Sequence, residues 1–137
     1  MATTAQYTAQ PILEYAQLTT GDASRTAPTN IVEICSGPNV TAGVGVGKRI
    51  TRIICHATGN SANGMIRFWL SLDSGTTKRL ILEKAKPSTT PSSATSAARI
   101  EASELAGMIL PGGTANKLYA TIQDTETWNV IVESALL

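Results

Sequence analysis

The stretch that most constrains this chain is Ile66-Arg67-Phe68-Trp69-Leu70-Ser71-Leu72-Asp73. Ile66, Phe68, Leu70 and Leu72 alternate with Arg67, Trp69, Ser71 and Asp73, and a period of two sends the two sets to opposite faces of a sheet. A β-branched run, residues 49–57, precedes it, and Lys78-Arg79-Leu80-Ile81-Leu82-Glu83 follows. The joining loops, residues 58–64 and 73–76, are short and carry glycine, which favours antiparallel neighbours over a parallel crossover. A three-stranded meander over residues 48–83 is expected, with Ile66, Phe68, Leu70 and Leu72 on the side that the rest of the chain must cover.

The rest of the chain is punctuated in the same way. Residues 1–11 form an extended arm without periodicity, and residues 12–137 form a single β-domain. Residues 12–18 read as a first strand in which Leu13, Tyr15 and Gln17 oppose Ile12, Glu14, Ala16 and Leu18. Residues 30–35 give a strand with Val32 and Ile34 inward if Glu33 points to water. Residues 36–47 are a Gly-rich loop. Residues 84–96 read as a loop, because Pro87 and Pro91 stand among Ser and Thr. A weak strand at 97–102, an apolar stretch at 105–110 and alternating strands at 117–123 and 128–133 complete the set. The last two place Leu118, Ala120 and Ile122, and then Trp128, Val130 and Val132, on inner faces. Either a bulge near Thr51 or Arg52 brings Ile50 and Ile53 to one face, or both faces of the strand are covered there. Seven to nine strands and no convincing helix predict an all-β, antiparallel sandwich of jelly-roll type.

Only 15% of the residues are charged and the net charge is +1; 19 Thr and 11 Ser supply the polarity instead. No basic footprint for nucleic acid is visible. No apolar run reaches the ~18 residues of a membrane span, and the N-terminus lacks the pattern of a secretory signal. Synthesis in the cytosol is the expectation. Cys35 and Cys55 stand alone in separate strands, without a CxxC or a nearby histidine, and read as small buried hydrophobes in preference to a disulfide or half a metal site.

Candidate chemistry is sparse. Gly43-Val44-Gly45-Val46-Gly47-Lys48-Arg49 departs from the phosphate-loop pattern at Ala42 and at Arg49, and a strand follows where a helix N-terminus is needed. His56 neighbours Cys55, but alternation sends the two to opposite faces, which excludes a dyad. The carboxylates show no clustering suited to acid–base work or to Ca²⁺. No catalytic residue, cofactor or metal is assigned, and the expectation is a chain that is not an enzyme. Trp69, beside Arg67 on the polar face, is either an interface anchor or a residue covered by a loop or a second layer.

The order of segments resembles a family of small β-sandwich virion proteins of tailed bacteriophages, the capsid decoration or cement proteins. The resemblance lies in residues 29–34, the Gly-rich loop, Lys48-Arg49-Ile50-Thr51-Arg52-Ile53 and Ala57-Thr58-Gly59. It continues through residues 64–70, residues 79–83, Thr90-Pro91-Ser92, Leu110-Pro111-Gly112-Gly113 before Leu118-Tyr119-Ala120, and residues 126–131. In place of the Gly-rich ending usual in that family stands Glu133-Ser134-Ala135-Leu136-Leu137. The resemblance implies a non-enzymatic protein on the capsid exterior that bridges major capsid subunits, commonly as a homotrimer. Expected contacts are Gln6 and Tyr7 of the arm, Val40, Val44 and Val46 of the Gly-rich loop, and Arg67 and Trp69. Two other roles fit the same sandwich: a tail- or fibre-associated virion protein, and a carbohydrate-binding module using Trp69.

Overall fold

The computed structural model describes residues 10–39 and 46–137. Its strands, in chain order, are β1 (Gln10–Leu18), β2 (Val32–Ser36), β3 (Gly47–Ala57), β4 (Gly64–Ser71) and β5 (Arg79–Lys86), then β6 (Arg99–Glu101), β7 (Ile109–Pro111), β8 (Lys117–Ile122) and β9 (Trp128–Leu136). A 3₁₀ turn, Ser103–Leu105, lies between β6 and β7. Among the described residues no helix is long and apolar enough to cross a membrane.

Two antiparallel sheets result. One runs β1-β9-β3-β6, with β7 also on β3; the other runs β2-β8-β4-β5. The pairs β4–β5, β3–β6, β2–β8 and β1–β9 are nested, so the chain is one long hairpin rolled across two layers. This is the jelly-roll arrangement expected from the sequence. The predicted meander is corrected on one point. β4 and β5 do pair, but β3 lies in the opposite sheet, its edges filled by β9 and by β6 with β7. The connection at residues 58–63 is long enough to step across the ~10 Å between packed sheets, so a short loop did not require adjacent strands.

The inner faces supply the core. Ile50, Ile53 and Cys55 of β3 and Trp128, Val130 and Val132 of β9 are buried, as are Ile66 and Phe68 of β4 and Leu118, Ala120 and Ile122 of β8. Each fully buried Leu, Ile, Val or Phe contributes on the order of 1.5–3 kcal/mol. The bulge inferred near Thr51 is present: Ile50 opposes Ser134 and Arg52 opposes Glu133, which lets Ile50 and Ile53 both face inward. Cys35 and Cys55 are free thiols within this core. Burial pushes both up to about 12, helped at Cys35 by the neighbouring Glu14 carboxylate.

Several boundaries differ from the sequence reading, three of them with a physical reason or consequence. β1 begins at Gln10, two residues inside the expected arm, and Pro11 fits there because β1 is an edge strand. Leu72, assigned to the inner set, lies beyond the end of β4 and is exposed. β5 continues through Lys84 to Lys86, the first three residues of the expected loop. The reason is electrostatic. The Lys86 side chain is fully buried, and its ammonium donates to the Ala62 carbonyl at 2.6 Å, to Asp124 at 2.9 Å and to Glu126 at 3.0 Å. Glu126 in turn accepts from the Ala62 N–H at 2.6 Å and from Trp128 Nε1 at 3.0 Å. One cation thereby ties β5, the 58–63 connection and the turn before β9 into a satisfied network.

Candidate functional site

Arg67 and Trp69 stand on the outer face of the four-stranded sheet, as alternation requires, but that face is closed. Both side chains are buried, which corrects the reading of Trp69 as an exposed anchor. Trp69 Nε1 donates to Thr121 Oγ1 at 3.0 Å. Arg67 donates through Nε to Glu83 at 3.0 Å and through Nη2 to Gln123 at 3.4 Å, while its Nη1 has no hydrogen-bond partner.

The cover is the chain's own strap, residues 19–31. Gly21 bridges to Ile122, and Arg25 reaches across to Glu83. Pro28 is buried beneath the strap's surface. The strap is shaped by Asp22, whose carboxylate accepts the N–H groups of Ser24, Thr29 and Asn30 at 3.0, 2.7 and 2.9 Å. Burial works against that charge, but the backbone donors outweigh it and hold the Asp22 carboxyl below its ordinary range. A second cover is the β4–β5 turn. Gly75, at φ +90°, lies so close to Tyr119 that an added Cβ would sit 2.8 Å from the phenol oxygen.

Among the described residues, no segment covers the outer face of the five-stranded sheet in this way. Its side chains fall into four rows read from the register. The first row is Gln17, Asn129, His56 and Arg99. The second is Tyr15, Ile131, Ile54 and Glu101. The third is Leu13, Glu133 and Arg52, and the fourth is Pro11, Ala135, Arg49 and Ile109. The β1–β9 half is largely apolar and the β3–β6 half is charged. Tyr15 is 85% exposed and Leu13 65%. Two shallow depressions of about 430 and 460 Å³ lie on this face, one beside Leu13 and Glu133, the other between Tyr15 and Asn129. Gln17 donates to Asn129 at 3.0 Å, and Glu101 is held by Arg52 at 3.1 Å and Arg99 at 3.8 Å.

Of the other predicted contacts, Val46 is 81% exposed just before β3, its backbone bonded to Gly112 and Leu137. Gln6, Tyr7, Val40 and Val44 lie outside the described residues. Sequence reasoning assigned no role to Leu13, Tyr15 or Ile131.

His56 faces out with Nδ1 2.7 Å from the Ala57 carbonyl, and Cys55 faces in, so the pair is divided by the sheet. Lys48, at the end of the Gly-rich loop, is turned into the sandwich and donates to Glu14 at 2.6 Å. Among the described residues no group of three His, Cys, Asp or Glu is placed to hold a metal ion. No protein-family model matches this chain, and no curated protein matches it by sequence.

Proposed function

We propose that this chain is a non-enzymatic virion structural protein of a tailed bacteriophage, a head decoration protein that docks on the capsid exterior against the major capsid protein. The observation that carries the reading is the asymmetry of the sandwich. One outer face is closed by the strap and the β4–β5 turn, while the other presents Leu13 and Tyr15 to solvent on a rigid sheet. A low-charge, Thr- and Ser-rich surface suits close contact with another protein. A protein that binds only the expanded shell stabilises that shell by mass action, and many copies acting together allow modest affinity for each. Self-association as a homotrimer is part of the same proposal.

Purified protein mixed with undecorated, expanded capsids tests it. Co-sedimentation is the expected result, and a chain that stays in the supernatant overturns the reading. Immunolabelling of whole virions separates a head location from a tail or fibre one. The carbohydrate-binding alternative loses its platform with the burial of Trp69.

A further inference from the structure

We infer that the open face of the five-stranded sheet seats a partner protein surface that is apolar opposite Leu13 and Tyr15 and acidic opposite the arginines of β3 and β6. This rests on the decoration reading and specifies the chemistry of the surface being decorated.

The edges of the molecule are closed to strand addition. β1 carries Pro11 and an inward-pointing carboxylate, Glu14, paired with the buried Lys48. β5 carries the inward-pointing Lys86 and Lys84, the latter paired with Glu104. β6 and β7 are three residues each, and β2 is interrupted by a bulge. Inward charges, proline, short strands and bulges are the devices that stop sheets from pairing edge to edge. A partner is therefore met by side chains on the face, not by backbone at an edge.

Size argues against a second copy as the occupant. With strands ~4.8 Å apart and a rise of ~3.3 Å per residue, the four rows cover on the order of 500 Å². A standard stable interface takes ~800 Å² from each partner. A patch of this size holds weakly by itself and becomes effective when the partner is a repeating lattice.

Charge gives the partner's character. The face carries Arg49, Arg52 and Arg99 against Glu101 and Glu133, an excess of one positive charge. Glu101 is already shared by two of those arginines. Arg49 is exposed and joins no ion pair among the described residues, and it sits beside the half-exposed Ile109. An acidic group on the partner would complete it, and such rim charges set the rate and salt dependence of association.

The experiment is sedimentation of the full chain with expanded, undecorated shells at two salt concentrations, with each variant first checked for an unchanged urea midpoint. Leu13→Ser with Tyr15→Ser should lower occupancy at least tenfold. Arg49→Glu should lower it severalfold and flatten the salt dependence. Arg79→Glu, at the start of β5 in the other sheet, should change nothing. Wild-type protein that fails to sediment overturns the decoration reading and this inference with it. Sedimentation that survives the face variants overturns the inference alone. Two further results would also refute it: a stable oligomer in solution that Tyr15→Ser dissociates, or Tyr15-dependent binding on a glycan array.

Discussion

Replacing Lys86 with Met removes an ammonium while keeping most of the side-chain volume, so the measured change reports charge more than packing. The ammonium is fully buried, and its loss strands the Ala62 carbonyl, Asp124 and Glu126. The three are not equally affected. Asp124 is 40% exposed and rehydrates readily, whereas Glu126 is 9% exposed and retains only the Ala62 N–H and the Trp128 indole as donors. Removing one member of a buried ion pair generally costs ~3–5 kcal/mol. The partial exposure of Asp124 places this case at the lower end, about 3 kcal/mol. For a domain of this length that lowers the thermal midpoint by about 10 °C. In urea the midpoint falls by roughly 1.5 M if the m-value is ~2 kcal/mol/M, with the m-value itself unchanged. The triple variant Lys86→Met, Asp124→Asn, Glu126→Gln should recover at least ~1 kcal/mol, because no uncompensated carboxylate remains. A single variant within ~0.5 kcal/mol of wild type, the range of an ordinary surface substitution, would refute the argument. So would a triple variant no more stable than the single.

Three other outcomes follow from the geometry. The thiols of Cys35 and Cys55 ionise near 12 when folded against 9.0 as the ordinary value, so the unfolded chain loses protons first as pH rises. Stability is therefore full below pH 9 and falls by ~1.4 kcal/mol per thiol per pH unit above it; alkaline urea titrations of the double Cys→Ala variant should show a shallower loss. Arg67→Met should cost less than Lys86→Met, because Arg67 already keeps one N–H group unsatisfied in the interior, and Arg25→Ala should leave the urea midpoint unchanged. Gly37→Ala should unfold the β2 end of the sandwich at lower denaturant than wild type by hydrogen exchange, since the added Cβ would lie 2.5 Å from the carbonyl oxygens of Pro111 and Gly113.

Alternation in β4 and β9 made the layers legible, and the misfit of Ile50 with Ile53 announced a bulge that the structure contains. The isolation of Cys35 and Cys55 from other ligands likewise pointed to buried, unpaired thiols. What alternation does not reveal is which face stays wet. Arg67, Trp69 and Ser71 read as a solvent face, yet they are buried, Arg67 against Glu83 and Gln123, Trp69 against Thr121 52 residues on, and Ser71 under the β4–β5 turn. In β1, alternation separates Glu14 from Leu13 and Tyr15 without saying which side is wet. The partner of Glu14, Lys48, is 34 residues away, and the pair turns inward and leaves Leu13 and Tyr15 out. Lys84 and Lys86 resembled the beginning of a loop for the same reason, with their carboxylates 20 and 38 residues further on. Most of these features depend on a hydrogen bond or ion pair between segments distant in the chain, which local patterning cannot express.

The rolled hairpin has a consequence for when the molecule becomes competent to bind. Leu13 and Tyr15 come from the first strand and Ile131 from the last, and Gln10 is registered against Leu136. A chain still emerging from the ribosome, or one clipped before Trp128, has the apolar residues of β1 but no platform to set them on. Only a finished, fully closed sandwich offers the surface, so incomplete copies lack it by topology alone.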